Sequence, residues 1–155
     1  MPCHKHKVCR NDPGSSGVGV CVYDPVRAKV LVGRERFGRY RGKYNICGGH
    51  VEPEDGGCLV EAARRELREE FKIGFPLQID HTLFLGTKPV FCCRVDSSVL
   101  KAEELEEMMQ RAVQDKEAPG SEKEMDDARW VCMFVENVVL SRFAKVTLKR
   151  LRSYV

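Results

Sequence analysis

Apolar residues fall along the chain in short runs separated by turn formers, with one longer stretch free of both Gly and Pro. Val18 to Tyr23 (VGVCVY) and Lys29 to Arg34 (KVLVGR) are β-rich runs joined by Asp24-Pro25 and three further residues, which predicts a hairpin. Residues 11 to 17, NDPGSSG, are turn formers, so the chain reads as a basic N-terminal segment over 1–17 and a single domain over 18–155. A stretch dense in Gly, Arg and Tyr then leads to a short strand at Asn45 to Cys47 and to the pair Gly48-Gly49. From Leu59 to Lys72 good helix formers dominate, and Gly74 stands where a C-terminal cap belongs. Leu77 to Leu85 and Lys88 to Val95 are strand-like, with Gly86-Thr87 as the turn. Lys101 to Lys116 predicts a second helix with Ala102, Leu105, Met108, Met109 and Ala112 on one stripe. A polar loop over 117–127, a strand at Ala128 to Val135 and a basic amphipathic helix over Val138 to Tyr154 complete the pattern. The order predicts an α/β class fold, a mixed sheet flanked by helices. Phe84, Phe91 and Trp130 are assigned to the core, and His81 to a structural role.

Length and composition change this picture little. At 155 residues, 43% hydrophobic and 32% charged, the chain is one globular domain, which excludes disorder, collagen and coiled coil as whole-chain readings. No apolar run approaches the roughly 20 residues that span a bilayer. The start, MPCHKHKVCR, is charged at once and lacks a signal's apolar region, so a cytoplasmic protein without a membrane partner is expected. The eight cysteines lie mostly in apolar runs without a CxxC pair and read as reduced thiols. Cys3, His4, His6 and Cys9 place soft ligands close together, a zinc candidate only if the terminus folds back. The net charge of +3 is uneven: residues 103–127 carry ten acidic against three basic side chains, while both termini are basic. Such polarity suits a polyanionic ligand or simply a solvated helix face.

The candidate chemistry lies on the Leu59 helix. At about 100° per residue, Leu59, Val60, Ala63, Leu67 and Phe71 form an apolar stripe, and Glu61, Arg64, Arg65, Arg68 and Lys72 an arc expected to face water. Glu66, Glu69 and Glu70 occupy the remaining arc at i, i+3 and i+4, where like charges repel. Either a cation offsets that cost, magnesium or manganese first for an all-oxygen set, or the glutamates pair with Arg65 and Arg68.

The stretch GGHVEPEDGGCLVEAARRELREEFKI resembles the signature of the Nudix hydrolases, G-x5-E-x7-R-E-U-x-E-E-x-G-U, and the preceding GKYNICGGHVE resembles the strand and turn that lead into it. The resemblance implies a Nudix-like α/β/α sandwich and an enzyme, a magnesium-dependent pyrophosphohydrolase that drives water onto a phosphorus of a diphosphate linkage. By position it makes Glu66, Glu69 and Glu70 the metal ligands with the carbonyl of Gly48, and lets Arg65 hold the glutamates by a salt bridge. A late-loop glutamate supplies the base in some members, and Glu124 is the choice here; Glu66 and Glu69 are the alternatives. Two features depart from the pattern. Between Glu52 and Arg65 the chain is two residues longer, so the box's isolated glutamate falls on Asp55 counting forward from Gly49 and on Gly57 counting back from Arg65; and Lys72 stands at the final glycine position.

For the substrate, Arg34, Arg36, Arg39, Arg41 and Lys43 interleave with Phe37, Tyr40 and Tyr44, a pattern that suits phosphates and a stacked base as well as it suits an exposed loop. Arg34, Arg36, Lys43, Tyr44 and His50 are the substrate-binding candidates. The expected partner is a small phosphorylated molecule, a nucleotide such as a nucleoside triphosphate or a nucleotide sugar. The alternatives are a larger polyanion, either an RNA cap or a diphosphoinositol phosphate, and a binding module without catalysis.

Overall fold

The computed structural model describes residues 5–10, 16–71, 78–95, 103–104, 106–107, 110–111, 125–134 and 137–154. In chain order the elements are α1 (Lys7–Arg10), β1 (Gly17–Asp24), β2 (Lys29–Glu35), β3 (Tyr44–Asn45), β4 (Cys47–His50), α2 (Leu59–Phe71), β5 (Gln78–Leu85), β6 (Lys88–Arg94), β7 (Met125–Cys132) and α3 (Arg142–Leu151). Seven strands form one sheet in the order β3-β2-β1-β6-β5, with β4 added on β1 and β7 on β2. Among the strand pairs of the described residues, β1 with β6 is the parallel one and the rest are antiparallel.

The central strand explains the layers. Successive side chains of β1 point to opposite faces. Val18, Val20 and Val22 meet Leu59, Val60, Ala63, Leu67 and Phe71 of α2 on one face. Cys21 and Tyr23 meet Ala144, Leu148 and Leu151 of α3 on the other. Because both faces are covered, VGVCVY reads as one unbroken apolar run rather than an alternating one. The result is the expected α/β/α sandwich. None of the seven described cysteines forms a disulfide, and six of them are buried. Among the described residues, no helix is long and apolar enough to cross a membrane.

Several boundaries differ from the sequence expectation. β7 begins at Met125, three residues before Ala128, because Met125 already pairs with Glu35 of β2. The last helix begins at Arg142, not Val138: the Ser141 hydroxyl accepts from the Ala144 N–H at 3.0 Å and caps it, while Leu140 bridges to Tyr44. Phe84 is not core but 49% exposed, since β5 is an edge strand and Leu83 takes the inward position. Glu103, Glu104, Glu106, Glu107, Gln110 and Arg111 are helical, whereas the apolar stripe expected there lies outside the described residues, as do Lys72 and Gly74. The acidic helix is more than a solvated face. Glu106 accepts the Trp130 N–H at 2.7 Å, and the Gln110 amide oxygen accepts the Ala128 N–H at 2.6 Å, so the helix satisfies backbone donors on the strand edge that β2 leaves open.

Candidate metal and catalytic site

The glycine pair of β4 is required by close approach. Gly48 and Gly49 lie opposite Gly19 and Val18 of β1. A Cβ on Gly48 would stand 2.8 Å from the Val18 carbonyl oxygen, and one on Gly49 would stand 2.2 Å from Oε1 of Glu66. The Glu66 carboxylate therefore presses directly on the strand backbone. The chain then turns through a 3-10 segment at Pro53–Asp55, where the Glu52 N–H donates to Oδ2 of Asp55 at 2.8 Å and the Glu52 side chain accepts from the Asp55 N–H in return. Gly56 and Gly57 follow with φ of 62° and 71°, left-handed values that glycine adopts without strain, and they carry the two extra residues of this loop back to the start of α2.

Arg65 sits at the centre of these segments and is buried, not solvent-facing as the helical wheel suggested, because the loop folds over it. Its Nε donates to Oδ1 of Asp55 at 2.9 Å and its Nη2 to Oδ2 at 3.1 Å, a bidentate pair. The same guanidinium donates to Glu66 and Glu69 at 3.0 Å each and to the His50 carbonyl at 2.8 Å. This geometry resolves the two counts across the box: the buried Asp55 takes the place beside Arg65, and Gly57 supplies only backbone. The hydrogen bond from Arg65 holds Asp55 below the usual carboxylate range despite its burial.

Of the three glutamates, Glu66 and Glu70 are buried and Glu69 reaches solvent. Burial raises the pKa of Glu66, outweighing its hydrogen bond with Glu70 and the charge of Arg65. Oε2 of Glu70 is buried and accepts no hydrogen bond, while the group itself engages Glu66. Three carboxylates crowded on one helix face, two of them on the Arg65 guanidinium and one against the glycine pair of β4, match the oxygen donor chemistry of a hard divalent ion.

Beside the glycine pair opens a cleft of about 450 Å³, within the range that encloses a small-molecule ligand. Gly48, Gly49, His50, Lys88, Tyr40 and Phe143 are among its walls. The Lys88 ammonium lies over the Phe143 ring, 4.4 Å from its centroid. Burial lowers the Lys88 pKa, against the opposing charges of Glu70 and Glu66. Lys88 is thus a partly desolvated cation on the cleft wall, with Glu70 and Glu66 near enough for their charge to act on it.

The family profile of the NUDIX domain matches residues 15–135, most of the chain. The chain belongs to the Nudix family. Solved structures share the fold. A MutT Nudix hydrolase from Burkholderia pseudomallei has a TM-score of 0.58 at 14% identity, covering 87% of this chain and 95% of its own. The Nudix domain of Shewanella oneidensis NrtR complexed with ADP ribose has a TM-score of 0.57 at 15% identity, with 98% and 99% covered. A C. elegans Ap4A hydrolase in a binary complex has a TM-score of 0.56 at 18% identity, with 89% and 96% covered. No curated protein matches the chain significantly in sequence.

In this Nudix chain the structure brings together Arg65, Glu66 and Glu69, with Glu70 engaging Glu66, and places Gly48 and His50 on the cleft wall. It does not bring the other substrate candidates there. Tyr44 is buried in the α3-side core, where its hydroxyl donates to Asp127, and so offers no face to a ligand. Arg34 lies over the Tyr44 ring at 5.9 Å, and Arg36 over Phe37 at 4.9 Å. Lys43 is exposed on the loop before β3. None of these four is among the cleft's lining residues. Glu124 lies outside the described residues. Lys88 and Glu35 are lining residues that the sequence did not single out, and Tyr40, one of the aromatics interleaved with the arginines, lines the cleft as well. Lys88 carried one signal, a lysine opening an otherwise apolar strand after the turn Gly86-Thr87.

Proposed function

We propose that this Nudix protein hydrolyses a diphosphate linkage in a nucleoside diphosphate joined to a further group, such as a nucleoside triphosphate or a nucleotide sugar. The observation that carries the proposal is the set Glu66, Glu69 and Glu70 on one helix, with Glu66 and Glu69 held by Arg65 and Glu66 pressed against Gly49, whose strand also lines the cleft that holds Lys88. Glu66, Glu69, Glu70 and the Gly48 carbonyl are the proposed ligands of magnesium, with manganese the second choice. When bound, such an ion neutralises charge on the phosphate oxygens and lowers the pKa of water.

The chain's own groups do the rest. Arg65 is a positioning residue: its hydrogen bonds hold Glu66 and Glu69 in place. Lys88 pairs with a phosphate, and Tyr40 and Phe143 offer aromatic surface to a base. Glu124 is the proposed acceptor of the water's proton; it directly precedes Met125, which pairs with Glu35 on the cleft wall. In the reaction a P–O bond forms from water, the bond to the bridging oxygen breaks, and two phosphorylated products leave. The cleft's size and aromatic walls favour a small nucleotide over a polymer. ADP ribose bound to the NrtR domain and the Ap4A named for the C. elegans enzyme are nucleotides of that kind.

The test is hydrolysis of a mixed panel by the purified protein, with magnesium and with chelator, read by mass spectrometry of the products. The panel holds nucleoside triphosphates, nucleotide sugars, ADP-ribose, dinucleoside polyphosphates, capped RNA and a diphosphoinositol phosphate. Magnesium-dependent cleavage of a nucleotide is expected, with Glu69→Gln losing at least about 100-fold in kcat and Lys88→Met chiefly raising KM. Cleavage of capped RNA or of the inositol compound alone replaces the substrate class. Turnover by Glu69→Gln at the parental rate, or no cleavage of any member, overturns the assignment.

A further inference from the structure

A second group of ligating side chains lies at the other end of the extended box loop, and none of its members belongs to the carboxylate site. His6 and Cys9 stand one helical turn apart on the N-terminal segment, with the Cys9 N–H donating to the His6 carbonyl at 3.0 Å. This turn packs on α2, so that Cys9 enters the same core as Leu59 and Val60. Cys58, the residue immediately before α2, comes to meet it. Nδ1 of His6 is 3.5 Å from Sγ of Cys58, and one donor atom from each of His6, Cys9 and Cys58 lies within 4.8 Å of the others. Cys9 and Cys58 are buried and His6 is half-buried.

We propose that His6, Cys9 and Cys58 form a zinc site that ties the N-terminal turn to the start of the glutamate helix. Two thiols and an imidazole are soft donors that select zinc over magnesium or calcium. With Zn–S near 2.3 Å and Zn–N near 2.0 Å, neighbouring donors of a tetrahedral site are about 3.5 Å apart, so the three groups need only contract slightly. Binding converts both thiols to thiolates and releases two protons; with a neutral imidazole the cluster then carries no net charge, which suits its burial. Thiolate at position 58 also faces the N-terminal end of α2, where negative charge is favoured.

The site has a structural consequence for the catalytic region. The Cys58 N–H donates to the Asp55 carbonyl at 3.1 Å, and Asp55 is the carboxylate that holds Arg65. Zinc at Cys58 anchors the far end of the loop that carries the two extra residues. Of the four N-terminal ligands considered from sequence, His6 and Cys9 take part, while Cys3 and His4 lie outside the described residues. The missing half of the cluster is Cys58, 49 positions beyond Cys9.

The test uses the full chain, purified from zinc-supplemented medium under reducing conditions and dialysed against metal-free buffer. Elemental analysis is expected to find about one zinc ion per chain, and Cys58→Ser and His6→Asn are each expected to retain less than about a tenth of it. Replacement by cobalt(II) should give thiolate-to-cobalt charge-transfer absorption in the parent that His6→Asn and Cys58→Ser weaken or lose. Glu69→Gln serves as the control and should keep the zinc in full, which separates this site from the carboxylate site and its proposed activity. If Cys58→Ser does not fold, the cobalt spectrum of His6→Asn decides the matter. A parent protein that retains no zinc and gives no charge-transfer band overturns the proposal, as does undiminished zinc in both variants; the contact of His6 with Cys58 is then a thiol–imidazole hydrogen bond that only docks the terminus.

Discussion

At the scale of single residues, Arg65 binds more of the site together than any glutamate does. Its five N–H donors reach a carboxylate on the loop, two on its own helix and a strand carbonyl, a set that a lysine's compact ammonium cannot match. Asp55 is the partner whose loss is most informative, because it touches neither cleft nor proposed metal ligands directly. Asp55→Asn leaves a buried guanidinium with a weaker acceptor and is expected to cost about 3 kcal/mol, the low end for a broken buried pair, since Glu66 and Glu69 remain. The pH dependence follows from the lowered pKa of Asp55. A carboxylate depressed on folding adds stability above its unfolded pKa, and that stability is lost as pH falls through the folded value. The gap between parent and Asp55→Asn should therefore stay constant from pH 7 to about 5 and narrow below about 4, as read by denaturant unfolding. A gap that widens in acid would show that Asp55 does not carry the pair.

At the scale of elements, α2 and β4 work as one unit. The helix follows from its composition and period: it starts at Leu59 as expected and runs through Phe71, and Lys72 lies outside the described residues. What the helical period does not reveal is how near the strand approaches. Gly49→Ala places a methyl group where the Glu66 carboxylate now sits, so Glu66 must move or the strand must shift. The expected result is a loss of at least about 10-fold in kcat with only a modest fall in Tm, because the displaced group is a side-chain end rather than core backbone. A large fall in Tm with kcat unchanged would mean that the strand yields instead. β7 and α3 teach the complementary lesson: a hydrogen-bond partner in β2 extends the strand to Met125, and the Ser141 cap shortens the helix to Arg142, both against a purely local reading.

At the scale of the whole molecule, one central strand separates two cores, and the cysteines are distributed between them. Cys47 and Cys93 belong to the α2 side, Cys21 and Cys92 to the α3 side. Burial pushes the Cys93 thiol up to about 12, and Cys21 is raised through its contact with Cys92 and by burial. These four thiols should resist an alkylating reagent in the native state and react together once denaturant unfolds the sheet, as followed by mass-spectrometric peptide mapping. Labelling of Cys92 or Cys93 well before global unfolding would show that β6 opens independently.

The sequence by itself determined the parts of this protein that depend on neighbours along the chain. The β-rich runs, the 3.6-residue period, the turn formers and the R-E-L-x-E-E run were enough for the strands, the glutamate helix and the Nudix resemblance, since each is a short-range feature of the chain. Only the tertiary structure decided what depends on distance through space. It chose Asp55 over Gly57 as the partner of Arg65, withdrew Tyr44 into a core, brought Lys88 to the cleft, and set Cys58 beside His6 and Cys9. A salt bridge or a ligand cluster is set by where the folded backbone brings two segments together, and residue spacing along the chain leaves that separation undetermined.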